Sequence, residues 1–292
     1  MRSLLFVPGD SQRKMESALK SVADVLILDL EDSVAPARKA EARRLTAEFI
    51  AAKGAERQLM VRINPLQGGL ADDDLDGVMA SCPAAIMLPK AQSSADAMAL
   101  SARLRVHEAR HGIADGATRI LPIITETALA VLNAATWNAP QPRLCGLTWG
   151  AEDLSADIGA SEARDANGAL TGVFHLARSL TLLAAAACNV AAIDTVLPDF
   201  STPGRLDDEC RAALRDGFSG KMAIHPKQVD AINAAFTPSQ ASLEKARTIV
   251  AAFAAQPEAG VLAIGGVMHD LPHLRQAERV LAMANSLQTL QR

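Results

Sequence analysis

Tyrosine is absent from this 292-residue chain, tryptophan occurs twice and phenylalanine seven times. So few aromatic rings exclude the stacking platforms that hold single-stranded nucleic acid. Cysteine is sparse as well. Cys82, Cys145, Cys188 and Cys210 are scattered, with no C-x-x-C pair and no neighbouring histidine pairing. That is the usage of reduced, mostly buried thiols, not of a zinc site or a disulfide frame. Long apolar runs are missing too. The longest, Ser179 to Ile193, is Ala-rich, lies between Arg178 and Asp194, and falls short of the roughly 20 residues that cross a bilayer. The opening MRSLLFVPGD has too short an apolar stretch for a signal peptide, so a cytoplasmic protein without a membrane span is expected. Neither G-x-G-x-x-G nor G-x-x-x-x-G-K-[ST] occurs, which removes two Gly-rich phosphate cradles. A net charge of −4 provides no general pull toward nucleic acid or anionic membrane.

What the chain does have is alternation between short apolar runs and longer helix-like segments. LLFVPG, VLILDLED, LMVRINP, AIMLPKA, ILPIITET, LCGLTWGAED, the run from Cys188 to Pro198 and KMAIHPK read as eight strands. Their nearly continuous apolar character fits strands covered on both faces. Asp10 or Ser11 is expected to cap a first helix through about Val22. Eight strands separated by helices predict a (β/α)8 TIM barrel, which takes roughly 250 residues, over an open doubly wound sheet. The barrel is expected over residues 1–236 and a C-terminal helical extension over 237–292. Thr237, Pro238 and Gln240 read as the start of the extension's first helix. Its tail is expected to open on a Gly-rich turn and end in an amphipathic helix.

In such a barrel the carboxyl ends of the strands surround the active site, and polar residues collect there. Asp29, Glu31 and Asp32 end the second strand, Arg62 and Asn64 lie in the third, and Lys90 ends the fourth. Glu126 follows the fifth, Glu152 and Asp153 the sixth, Asp194 lies in the seventh and His225 at the eighth. The segment between Glu126 and Asp153 reads as one parallel βαβ unit, which brings the two acids side by side. Two such acids repel unless a proton or cation sits between them, and oxygen ligands suit Mg²⁺. The competing reading pairs both with Lys90 or Arg62 and needs no metal. Strand alternation turns Glu152 away from Asp153. Arg62 reads as a planar fork for a substrate carboxylate or carbonyl oxygen, with pairing to Glu31 or Asp32 as its alternative. Asp29 and Asp194 read as buried acids that hold backbone amides, and His225 as a positioned loop residue. His107 and His111 are assigned to a solvated helix face, and the acids of DDDLDG to a helix start.

RSLLFVPG, VLILDLEDSV, VRINP, LPKA, ITET, GAEDLSADIG, KMAIHPKQV and, later, MHDLPHLRQAERVL occur in this order. Together they resemble the citrate lyase β-subunit-like family, which includes malyl-CoA, citramalyl-CoA and citryl-CoA lyases. The resemblance implies a (β/α)8 barrel that forms homotrimers or hexamers. It implies Mg²⁺-dependent cleavage of a β-hydroxyacyl-CoA thioester into acetyl-CoA and a small α-keto acid. By position, Glu126 and Asp153 would hold the metal, and Arg62 would bind substrate. Asp270 would complete a neighbouring subunit's site as its proton-exchanging acid, and Phe6, Pro8 and Gly9 would lie along the CoA end. Asp29, Glu31 and His225 join the expected substrate contacts. Ser11 and Ser17 stand where some relatives carry Arg and Lys, and Val267 stands where lysine is frequent. A CoA-independent pyruvate-type aldolase and a citrate lyase β subunit acting on an acyl-carrier-protein thioester are the alternatives.

Overall fold

The computed structural model describes residues 1–290 apart from Phe200 and Pro203, with backbone alone at 286 and 288–290. The chain divides into two compact units, Met1–Asn233 and Ala234–Arg292.

The first unit runs β1 (Ser3–Pro8), α1 (Gln12–Ala18), β2 (Val25–Asp29), α2 (Lys39–Lys53), β3 (Leu59–Arg62), α3 (Ala71–Val78) and β4 (Ala85–Leu88). It continues with α4 (Ser94–His111), β5 (Arg119–Pro122), α5 (Ala128–Leu132), β6 (Gly146–Thr148), α6 (Glu152–Ile158) and α7 (Gly172–Ala187). β7 (Ala191–Asp194), α8 (Arg205–Asp216), β8 (Gly220–Ala223) and α9 (Val229–Ala235) follow. All eight strands are parallel, in the order β5-β4-β3-β2-β1-β8-β7-β6. Bridges Ile120↔Leu144 and Ile123↔Thr148 join β5 to β6 and close the cylinder into a TIM barrel. Every position of β2 is buried, as a strand with helices outside and side chains inside must be.

Period-2 alternation then sorts the strand residues. Leu4, Val25, Ile27, Met60, Met87, Leu121, Ile193 and Met222 form one buried cluster that fills the barrel. Phe6, Asp29, Arg62, Ile123 and Thr195 continue the same inward parity one step nearer the carboxyl ends.

Several local expectations are corrected. α1 ends at Ala18, and the sixth strand stops at Thr148, so Glu152 and Asp153 open a helix. The seventh strand, Ala191–Asp194, does lie within the Cys188–Pro198 run, whose first residue caps the end of α7. His107 is buried, because Leu100, Leu104 and His107 share the α4 stripe that faces the core. Among the thiols, Cys82 is exposed. The DDDLDG acids do open α3, as the sequence indicates, and Asp74 among them is buried and accepts from Asn64 and Arg43.

The second unit contains α10 (Gln240–Ala255), β9 (Val261–Ile264), β10 (Val267–Asp270) and α11 (Leu271–Leu290). Ser239, rather than Thr237, caps α10 by accepting from Ser242 N. The Gly-rich turn is a hairpin: Gly265 and Gly266 both have positive φ, which a two-residue turn between these antiparallel strands requires. Ala246, Ile249, Phe253 and Ala277 form this unit's own buried cluster.

Candidate active site

A cavity of about 330 Å³ opens at the carboxyl ends of the barrel strands. Phe6, Pro8, Asp29, Arg62, Glu126 and Asp153, all named from the sequence, line it. Two larger cavities, of about 730 and 690 Å³, are also present. The first is framed by α7 and α8, the second by α4 and the 136–144 segment. The smaller cavity is the candidate site because charged groups from the ends of β2, β3, β5 and β6 line it, where barrel active sites form.

Arg62 sits above the inner core with its guanidinium held on both sides. Nε donates to Asp29 Oδ1 at 2.6 Å and Nη2 to Asp29 Oδ2 at 2.7 Å. Nη1 lies 3.0 Å from Glu31 Oε2, and the plane rests 4.7 Å above the Phe6 ring. The two sequence readings of Arg62 are therefore compatible: it is ion-paired, and it also lines the cavity. Asp29 holds backbone amides as well, accepting from Glu31 N and Ser33 N. Burial would raise the carboxyl of Asp29, but the bonds and charge of Arg62 outweigh it and keep the group below its ordinary value.

Glu126 and Asp153 come together as the β5–β6 pairing requires. Glu126 is 2% exposed, and the space beside it exists only because residue 150 is glycine. A Cβ there would stand 2.7 Å from Glu126 Cγ. Burial and the negative charge of Asp153 raise the Glu126 carboxyl to about 8. Lys90 answers both acids. Its backbone N–H donates to Glu126 Oε2, and its ammonium lies 3.0 Å from Asp153 Oδ1 and 2.5 Å from Glu31 Oε1. Glu152, expected to turn away, lines the same cavity because the first turn of a helix does not obey strand alternation.

The remaining candidates lie differently. Gly9 is packed beneath the site: its N–H donates to Asp29 O, and a Cβ would stand 2.6 Å from Thr46 Oγ1. His225 caps the turn Pro226–Gln228 by accepting from Lys227 N through Nδ1. Asp194 has outward parity and faces the helix layer, where Trp149, Arg178 and Lys221 bind it. Asp270 belongs to the second unit, where Oδ1 lies 2.5 Å from His273 Nδ1. Thr195, Val196, Met222 and Ile224 also line the cavity and were not singled out from the sequence. Inward parity was the available signal for Thr195, Met222 and Ile224.

An oxygen-only pair of carboxylates fits a hard divalent cation that takes its other ligands from substrate and water. Among the described residues, no group of three or more His, Cys, Asp or Glu is gathered for a metal. The raised carboxyl of Glu126 beside Asp153 is the imbalance that a cation relieves.

A closed parallel barrel with an arginine fork, two facing carboxylates and a lysine at its strand ends defines a TIM-barrel enzyme site. Residues 2–226 match the HpcH/HpaI aldolase/citrate lyase family, and residues 169–287 match the C-C bond lyases of the TIM-barrel fold. The chain belongs to the HpcH/HpaI aldolase/citrate lyase family. It is 37% identical over 282 residues to the citrate lyase subunit beta-like protein of Mycobacterium tuberculosis, covering 96% of this chain and 94% of that one. It is 30% identical to the mitochondrial citramalyl-CoA lyase of Mus musculus, covering 98% of this chain and 86% of the relative. The M. tuberculosis protein CitE, solved with magnesium, acetoacetate and coenzyme A, superposes with a TM-score of 0.77 at 34% identity. That match covers 97% of this chain and 98% of CitE.

Proposed function

We propose that this chain is a Mg²⁺-dependent carbon–carbon lyase that cleaves a β-hydroxyacyl-CoA thioester into acetyl-CoA and a small α-keto acid. The observation that carries the reading is that Glu126, Asp153 and the Arg62 fork line one cavity at the strand ends. The magnesium, keto acid and coenzyme A held by CitE, and the activity named for the mouse relative, support it.

Glu126 and Asp153 would hold the ion. When bound, Mg²⁺ supplies Lewis-acid polarisation of the oxygen on the carbon that becomes the ketone. Arg62, kept in orientation by Asp29, presents its remaining N–H groups to oxygens that gain negative charge as the bond breaks. The hydroxyl loses its proton, its oxygen becomes the keto oxygen, and the pair from the broken C–C bond passes to the thioester enolate. A proton added at the enolate carbon completes acetyl-CoA. Asp270 of a second copy delivers that proton in a homotrimer or hexamer, and the C-terminal segment, residues 237–292, acts as its carrier. Phe6 and Pro8 offer the apolar wall along which the thioester end lies. Among the described residues no helix is long and apolar enough to cross a membrane, in keeping with a cytoplasmic enzyme.

The test is keto-acid release from malyl-, citramalyl- and citryl-CoA, with and without Mg²⁺, against the matching acyl-carrier-protein thioesters and a free pyruvate aldol. Mg²⁺-dependent release from a CoA ester is expected, and Glu126→Gln or Asp153→Asn should abolish it. Asp270→Asn should stop solvent proton exchange into acetyl-CoA while leaving Mg²⁺ binding intact. Turnover of the free aldol alone, or full activity in Glu126→Gln, overturns the reading.

A further inference from the structure

We infer that Lys90 is the resident counter-cation of the metal-free site, and that a divalent ion binds by displacing its ammonium from Asp153. The inference rests on Glu126 and Asp153 as the metal-holding pair and concerns a residue which that reading leaves unused.

Lys90 stands two residues past the end of the fourth strand with φ +52°, a left-handed conformation that residues other than glycine rarely adopt. This turn sends the residue's two ends to different acids. The N–H meets the buried Glu126, while the stem reaches across the cavity mouth to Asp153. The same ammonium lies against Glu31 Oε1 and 3.4 Å from Asp32 Oδ2. One monovalent cation thus serves three carboxylates by its side chain and a fourth by its backbone.

A dication shared by Glu126 and Asp153 does not tolerate an ammonium 3.0 Å from Asp153. An ammonium and a dication that share the Asp153 carboxylate are held within about 4–5 Å of each other, where like charges repel strongly even in a partly solvated setting. The lysine has somewhere to go. Glu31 and Asp32 lie on the β2 side of the cavity, and a flexible four-carbon stem can shift toward them without moving the backbone. The N–H bond to Glu126 is unaffected by that shift. Lys90 therefore balances the acids until the ion arrives and sets the ion's affinity by competing for Asp153.

The experiment is Mg²⁺ titration by calorimetry, together with thermal unfolding in EDTA and in Mg²⁺, on wild type, Lys90→Met and Lys90→Arg. Lys90→Met removes the charge and keeps the stem and the N–H. It should bind Mg²⁺ about tenfold more tightly, melt below wild type in EDTA, and gain more from Mg²⁺ than wild type does. Lys90→Arg should stay close to wild type in affinity and in EDTA. Unchanged or weaker Mg²⁺ binding by a folded Lys90→Met protein overturns the inference. Should that variant fold under neither condition, Lys90→Gln, a neutral donor at the same place, serves for the comparison. Glu126→Gln and Asp153→Asn separate the two failures. If they bind Mg²⁺ like wild type, the metal reading itself falls. If they lose it while Lys90→Met matches wild type, only the role of Lys90 falls.

Discussion

Replacing Asp29 with asparagine removes one charge from the middle of the site and should cost much of the barrel's stability. Asp29 is 1% exposed and accepts four hydrogen bonds, two from Arg62 and one each from Glu31 N and Ser33 N. An asparagine has one acceptor oxygen, and its amide would face a donor on whichever side it took. Arg62 would keep its charge, largely buried, with Glu31 as the ion-pair partner left beside it. Breaking one partner of a buried ion pair typically costs about 3–5 kcal/mol, a fifth or more of a total stability of roughly 5–15 kcal/mol. With a urea slope of about 3 kcal/mol/M, the midpoint should fall by about 1 M or more at pH 7. Urea unfolding followed by far-ultraviolet circular dichroism reads this directly. The sign with pH follows from the lowered carboxyl. The contribution of Asp29 is complete above its unfolded value, near 3.8, and is lost as pH falls through the lower folded value. The gap between wild type and Asp29→Asn should therefore persist at neutral pH and close in strong acid. A midpoint shift below about 0.5 M at pH 7 would refute the assignment of Asp29 as the anchor of Arg62.

Gly150→Ala places a methyl 2.7 Å from Glu126 Cγ and 3.0 Å from Oε1. Overpacking of this kind costs about 1–3 kcal/mol, and displacement of Glu126 should remove Mg²⁺-dependent thermal stabilisation; a wild-type response to Mg²⁺ would show that the carboxylate has room to move. In EDTA the raised Glu126 carboxyl favours folding below its unfolded value, near 4.5, and that contribution is lost as pH rises through about 8. Glu126→Gln mimics the protonated form, so its thermal midpoint should decline less than that of wild type between those limits. Parallel pH profiles would contradict the burial argument.

Much of this architecture was legible in the chain. β2 reads as a buried strand because Val25 to Leu28 are all apolar, and eight such runs separated by helices leave few alternatives to a barrel. The Glu126–Asp153 juxtaposition followed from a parallel crossover, which returns neighbouring strands to one edge. Local boundaries were less legible. Thr148 and Trp149 are apolar enough to extend a strand, yet Gly150 lies beyond its end and Glu152 begins a helix. His107 misled because Arg103, Arg105, Arg110 and His111 surround it in sequence, while helical periodicity turns it inward with Leu100 and Leu104.

Apolar periodicity by itself determined the strands, the parallel crossovers and the edge on which the acids collect, because these depend on spacing along the chain. The tertiary structure alone decided that Arg62 is clasped by Asp29, that Lys90 spans Glu31 and Asp153, and that Asp194 faces the helices. Those pairings depend on distances between strands remote in sequence, which are set only when the barrel closes.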